Sequence, residues 1–376
     1  MLVALRVLAV GNMYPPHHLG GYELLWHSAM EHLRGRGHEL RVLTTDFALD
    51  EPDASIPEAD YVDRALRWYW EDHRFPRVGP LARRRLERHN ARVFDAAVED
   101  FGPAAVTWWA MGGMSLGLLK RGRRRGLPSL AVVIDDWPLY APRVDGPLDP
   151  GAVDAWSFCS EVQYGRVRAA VGGAHGTIDR PGADLGLFHE SPPGEWAWRL
   201  LYCGRLDERK GVDLCVAALP HLPEASLTVV GGGDPAYRDE LAALAVRAGV
   251  SDRVRFERAS RAELPGAYAA ADAVLFPVRW EEPWGLVPLE AMAVGRPVVA
   301  SGRGGSGEYL EDGVNCLIAD PDEGPSAIAA ALERLAADPE LRETLREGGR
   351  RTAERFSRDA FDEAIADRVE ALAAAR

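Results

Sequence analysis

Short apolar runs alternate along most of the 376-residue chain with stretches whose apolar positions recur every three or four residues. In the first half, LRVLAV (Leu5–Val10), ELRVLTT (Glu39–Thr45), AAVTWW (Ala104–Trp109) and SLAVVI (Ser129–Ile134) read as strands, and Tyr22–Arg34 and a long stretch around Leu81–Glu99 read as helices. Strands that are apolar on both faces belong in parallel sheets covered by helices on each side. The alternation breaks at ESPPGEWAW (Glu190–Trp198), where two prolines and a glycine interrupt any regular element and place a linker at about 186–198. It restarts with RLLYCG, SLTVVGG (Ser226–Gly232), AVLFPV (Ala273–Val278) and PVVAS (Pro297–Ser301), and three helical stretches close the chain. The pattern predicts an α/β protein with one domain over 1–190, a second over 191–357, and a terminal helix over 358–376 expected to return toward the first. A chain of this length exceeds one ordinary core, in agreement.

Two parallel α/β halves of this kind are Rossmann-like, and the expected ligand position is the cleft between them, at the carboxyl ends of both sets of strands. A dinucleotide dehydrogenase is set aside, because VGNMYPPHHLGG after the first strand contains no G-x-G-x-x-G. The net charge of −13 falls mostly in the second half and argues against a general nucleic-acid binder. The four cysteines are far apart and form no C-x-x-C pair, which reads as reduced thiols in a cytoplasmic protein. The opening MLVALRVLAVGN carries Arg6 and no small-residue cleavage site, so it reads as a buried strand, and no other run approaches a membrane span. LARRRLERH and KRGRRRG make the first half locally basic; a solvated helix face and a helix end are the expected places for them, ahead of peripheral contact with anionic lipid.

The candidate chemistry gathers in two stretches. WEEPWGLVPLEAM sets Glu282 and Glu290 on either side of a turn that leads into a helix, with Pro288 placed for its first turn. The amides of Gly285, Leu286 and Val287 would then be the unpaired donors of a helix N-terminus, which suits an anion. In YCGRLDERKGVD, Arg205 and Lys210 follow a strand end at a spacing that can bring two cations to one end of a sheet, as a diphosphate needs. The chain writes arginine nearly everywhere; its two lysines are Lys120 and Lys210, so a compact ammonium at 210 stands out. No D-x-D metal motif is convincing, since the DPD of Asp320–Asp322 lies in a proline-containing loop.

With these stretches in place, CGRLDERKGVDL, LTVVGGGDPAYRDEL, YAAADAVLFPVRWEEPWGLVPLEAMAVGRPVVAS, GGSGEYLEDGVNCLIAD and ERFS resemble, in order, the second half of a retaining GT-B glycosyltransferase of the family 4 type. The first half resembles it more loosely, in the GG loop of Gly20 and Gly21, in RGHEL, in DDWPLYAPR (Asp135–Arg143) and in RPGADLGLF. The resemblance implies two Rossmann-like domains facing each other across a deep cleft. It further implies that Arg205 and Lys210 hold the diphosphate of a nucleotide-sugar donor, that Glu290 accepts from the ribose hydroxyls, and that Glu282 faces the transferred sugar. Backbone amides from Trp284 to Val287 would contact sugar and phosphate, with Gly20 and Gly21 close by. The donor is then a substrate, no cofactor or metal is expected, and the acceptor is a small molecule, a glycan or a lipid-linked molecule.

Two positions depart from the family pattern. Asp135 stands where many relatives carry histidine, so either it holds a hydroxyl or amine of donor or acceptor, or it has no site role; Asp136 has a similar claim. Arg258 stands near the expected base pocket where relatives usually have glycine. His17 and His18 are candidate acceptor contacts, and Trp68 and Trp70 candidate stacking surfaces, whereas Trp108 and Trp109 read as core. A sugar-nucleotide epimerase or hydrolase, and a non-catalytic sugar-nucleotide-binding subunit, remain the alternatives. Heavy use of Ala, Arg and Gly fits a GC-rich bacterial genome.

Overall fold

The computed structural model describes residues 4–70 and 75–375, so Glu71 and Asp72 of the tryptophan-rich stretch lie outside the described residues. The chain divides into two compact units, one running to Arg180 and resuming at Ala360, the other spanning Pro181–Asp359.

The first unit is built on seven parallel strands: β1 (Arg6–Val10), β2 (Glu39–Thr45), β3 (Val62–Leu66), β4 (Ala105–Trp108), β5 (Ser129–Val133), β6 (Ala155–Phe158) and β7 (Gly176–Ile178), in the order β3-β2-β1-β4-β5-β6-β7. Its helices are α1 (Gly21–Gly35), α2 (Pro80–Phe101), α3 (Gly117–Arg124), α4 (Trp137–Asp145) and α5 (Glu161–Val171). The second unit has six parallel strands: β8 (Arg199–Cys203), β9 (Ser226–Val230), β10 (Val254–Glu257), β11 (Ala273–Phe276), β12 (Val298–Ala300) and β13 (Leu317–Ile318), in the order β10-β9-β8-β11-β12-β13. Around it lie α6 (Val212–Ala218), α7 (Pro235–Arg247), α8 (Leu264–Ala270), α9 (Leu286–Ala293), α10 (Pro325–Ala337) and α11 (Pro339–Arg355). The last helix, α12 (Arg358–Ala374), counts with the first unit from Ala360 on, where Asp362 accepts from Ser28, Glu370 meets His38 at 2.8 Å and Arg368 pairs with Asp179 at 2.5 Å.

Both sheets are doubly wound. The strand order reverses between β1 and β4 in one and between β8 and β11 in the other, with Val7 opposite Ala105 and Ala273 opposite Leu200. At such a reversal the loops leaving neighbouring strands diverge to opposite faces, which opens a crevice at the strands' carboxyl ends.

The unit boundary falls at 180/181, earlier than the linker read at 186–198 and the domain limit at 190. Residues 181–198 belong to the second unit through polar ties. Trp284 donates its indole N–H to the Pro181 carbonyl at 2.7 Å, Arg358 pairs with Asp184 at 2.6 Å, and Arg296 reaches the carbonyls of Ser191 and Pro192. Proline and glycine stop a regular element there but do not release the segment from its partners. Other differences lie at edges: β3, β10 and β13 are short and carry charged or half-exposed residues, so no apolar run announces them.

The buried cores contain Trp108 and Trp109, the latter stacked on Trp26 at 5.7 Å, as read from the sequence. All four cysteines are buried, and none forms a disulfide among the described residues. Much of the KRGRRRG cluster is neutralised by acids of its own unit, with Arg121 and Arg125 on Asp95 and Arg123 on Asp154. No described helix is long and apolar enough to cross a membrane.

Candidate active site

The reversal between β8 and β11 positions most of the donor-site residues read from the sequence. After β8, Asp207 accepts the backbone N–H of Arg209 at 3.0 Å and its guanidinium at 2.7 Å, which tightens Glu208–Lys210 into a single 3-10 turn. Burial pushes the Asp207 carboxyl up, but the hydrogen bonds and charge of Arg209, with the charge of Arg205, bring it down to about 2. Gly211 ends the turn at φ +71°, where a Cβ would lie 2.1 Å from the Pro277 carbonyl oxygen, so only glycine lets this loop press against the one that follows β11. The Arg279 amide donates to the Arg209 carbonyl at 2.8 Å and fastens the two loops together.

That contact brings Lys210 to Glu282. The ammonium lies 2.6 Å from Oε2 of Glu282, and the indole N–H of Trp280 donates to the same oxygen at 2.7 Å. The Trp280 ring carries Lys210 at 5.4 Å and Arg209 at 4.5 Å, both within cation–π range. Glu282 is 8% exposed, so it is not a solvated loop acid. Its backbone is pinned as well, because the Gly305 amide donates to its carbonyl at 2.7 Å. Arg205, on the loop after β8, is exposed and close enough to Asp207 to act on it by charge.

Helix α9 begins at Leu286 behind Gly285, so the amides of its first turn have no upstream helical carbonyl to meet. The Trp284 side chain is buried against Tyr309 and Phe356, so any ligand contact from this residue would be through its backbone. Glu290 is the fifth residue of α9, one beyond its first turn. At 4% exposure it does more than complement a helix dipole. Arg261 meets Oε1 at 2.5 Å and the Tyr268 hydroxyl donates to Oε2 at 2.8 Å.

In the first unit, Gly20 and Gly21 open α1, and the Gly20 amide donates to the Glu23 carboxylate at 3.0 Å. The loop thus carries an acid beside its glycines. Asp135, after β5, accepts from the Trp137 amide and the Tyr140 hydroxyl, each at 3.2 Å. Burial, reinforced by the charge of Asp136, raises its carboxyl to about 7 despite those hydrogen bonds. Asp136 instead turns to Arg166, with oxygens at 2.9 and 3.1 Å from the guanidinium. The equal claim read for the two aspartates therefore separates: Asp136 is held in an ion pair and Asp135 is not. His17 accepts the Leu49 amide at 3.0 Å and His18 meets Asp53 at 3.2 Å, so both histidines tether the loop after β2. Trp68 and Trp70 stack on each other at 4.8 Å, with Phe47 edge-on to both.

Asp145, at the end of α4, holds the loop that follows β4. It accepts the Gly113 amide at 2.8 Å and the Tyr69 hydroxyl, and burial raises its carboxyl to about 6. A folded value above the unfolded one favours the folded state in full below about pH 4 and loses that favour as pH rises through 6. Between about pH 7.5 and 5, wild-type stability is expected to gain roughly 1–2 kcal/mol that Asp145→Asn does not gain. Urea unfolding of both proteins at the two pH values reads the difference; equal gains would show that Asp145 does not titrate between those two values.

Sequence reasoning missed Arg261, Tyr268, Trp280 and Glu23. Trp280 opens WEEPWGLVPLEAM, Glu23 follows the GG loop and Tyr268 opens YAAADAVLFPV, all inside or beside stretches already quoted; Arg261 sits in ERASRAELPGAY with no spacing signal of its own.

These two sheets and their crevices define a class. Across 99% of the chain and 100% of its own length, sucrose-phosphate synthase of Thermosynechococcus elongatus superposes with a TM-score of 0.80 at 22% identity. HepE of Anabaena, crystallised with UDP and glucose, superposes over 97% of this chain and 99% of its own, with a TM-score of 0.75 at 20% identity. The fold is that of the GT-B glycosyltransferases. Residues 189–352 match the model of the glycosyl transferases group 1 family. A D-inositol 3-phosphate glycosyltransferase of Xylanimonas cellulosilytica is 38% identical over 214 residues, which are 52% of this chain and 50% of that protein. The chain spans between about two fifths and one half of the length of the first curated relatives it matches.

Proposed function

We propose that the protein is a glycosyltransferase that moves a sugar from a nucleotide-diphosphate sugar to an acceptor, with retention of anomeric configuration and without a metal. The observation that carries this reading is the Lys210–Glu282 pair at the strand reversal, beside the start of α9. A buried acid and a cation on adjacent loops can serve the two sides of one bond-breaking event. Lys210 and Arg205 face the diphosphate, on which negative charge develops as it leaves, and Glu282 accepts from the hydroxyls of the sugar left behind. The Gly285–Val287 amides add fixed dipoles aimed at the leaving group. Preorganised charges and dipoles of this kind, set where charge develops, usually contribute more to an enzyme's rate than any other single effect. Glu290 receives the ribose. In the first unit, Asp135 accepts a hydroxyl or an amine of a bound sugar or acceptor.

Melting curves in UDP, GDP, ADP and dTDP test the donor reading. At least one ribonucleoside diphosphate is expected to raise the melting temperature in a concentration-dependent way. No shift with any of the four removes the assignment. Product analysis with the matching sugar nucleotide then separates transfer to an acceptor from conversion of donor alone, and the configuration at the transferred carbon tests retention.

A further inference from the structure

The ribose contact proposed for Glu290 leaves its partner, Arg261, without a role. Glu290 is nearly sealed from water, and an ionised carboxylate in that position needs a charge partner and hydrogen bonds to stay there. Arg261 supplies the charge. Its side chain is 19% exposed, and burial, which alone would lower its pKa, is more than offset by Glu290. The guanidinium lies 4.6 Å over the Phe188 ring, and that ring stands edge-on to Tyr268 at 5.6 Å. Tyr268 in turn donates to the second oxygen of Glu290, so a ring, a carboxylate and a phenol hold one another in a fixed arrangement. The backbone that carries Arg261 is braced too. Glu263 accepts from both the amide and the hydroxyl of Ser260 at 2.8 Å each.

A carboxylate offers about four lone-pair positions, and here each oxygen has one protein donor, which leaves capacity for two more. A vicinal diol brings two. We infer that Arg261 is a positioning residue for nucleotide recognition: it holds Glu290 oriented so that the carboxylate reads both hydroxyls of the ribose. The inference rests on the donor-site reading of the second unit. Its distinctive consequence is that loss of Arg261 is felt through the ribose hydroxyls and not through the base or the phosphates.

Titration calorimetry of the full chain with UDP, GDP and ADP, each beside its 2′,3′-dideoxy counterpart, makes that distinction. The wild-type protein is expected to favour the ribose form of the nucleotide it binds by about tenfold or more. Arg261→Met should erase most of that preference while changing the dideoxy affinity by less than about twofold, and Arg261→Lys should recover part of it. Equal loss for both forms overturns the inference, as a residue that contacts base or phosphate, or only supports the fold, would behave so. Retention of the full preference in Arg261→Met overturns it as well. Should Arg261→Met fail to fold by circular dichroism, Arg261→Lys carries the same comparison, with a selective loss on the ribose form as the supporting result. A wild-type protein that binds a nucleotide without preferring its ribose form sinks the role of Arg261 and leaves the donor site standing. One that binds none of the three sinks both.

Discussion

Replacing Lys210 by methionine is expected to lower turnover by at least about a hundredfold, the scale seen when one preorganised charge partner of a leaving group is removed. The ammonium is held between an indole face and the Glu282 carboxylate, so it is oriented before any ligand arrives. A diphosphate that enters competes with Glu282 for it. The two roles separate in a second variant. Glu282→Gln removes the competing carboxylate and its repulsion of phosphate, so a nucleoside diphosphate should bind at least as tightly as to the wild-type protein while transfer collapses. Steady-state rates with a matched donor and acceptor, together with nucleotide affinities, read both effects. Near-wild-type turnover in Lys210→Met, or weaker nucleotide binding in Glu282→Gln, would take Lys210 out of the diphosphate site.

The strands of both sheet centres were legible because a strand covered on both faces must be apolar throughout, as in RVLAV, SLAVV and AVLF. Edge strands such as VRFE obey a weaker rule, since one side is open to polar residues, and they left no such mark. The same logic explains the site. Glu282 and Lys210 stood out because acids and a rare lysine sit beside glycine and proline at strand ends, where loops leave a sheet reversal. Their mutual contact did not, since 72 residues separate them and only the sheet order brings β8 beside β11. Arg261 was invisible for a further reason. In a chain whose basic residues are nearly all arginine, one more carries no signal until a buried carboxylate is known to need it. The unequal fates of Asp135 and Asp136 likewise depend on Arg166, contributed by α5.

Gly304 lies outside every donor contact proposed for this site, yet the Glu282 loop depends on it. It sits at φ +70°, and a Cβ there would lie 2.4 Å from both the amide nitrogen and the carbonyl oxygen of Glu282. Both atoms are backbone, so no side-chain rotation relieves the contact. An alanine also meets the steric cost of the left-handed region, about 1–2 kcal/mol. Either the Gly304–Glu308 turn or the Glu282 peptide must give way, and the Gly305 hydrogen bond to the Glu282 carbonyl links their movements. Gly304→Ala is therefore expected to cost at least about 2 kcal/mol of stability and to lower kcat roughly tenfold to a hundredfold by displacing the Glu282 carboxylate from Lys210 and Trp280. Gly313→Ala is the matched control, because Gly313 has φ +72° with nothing near its missing Cβ. It should show the conformational cost alone, about 1 kcal/mol, with kcat unchanged. Rates measured well below both melting temperatures separate lost geometry from lost fold. If the two variants match in kcat, the close packing of Gly304 against Glu282 is not what holds the acid in place.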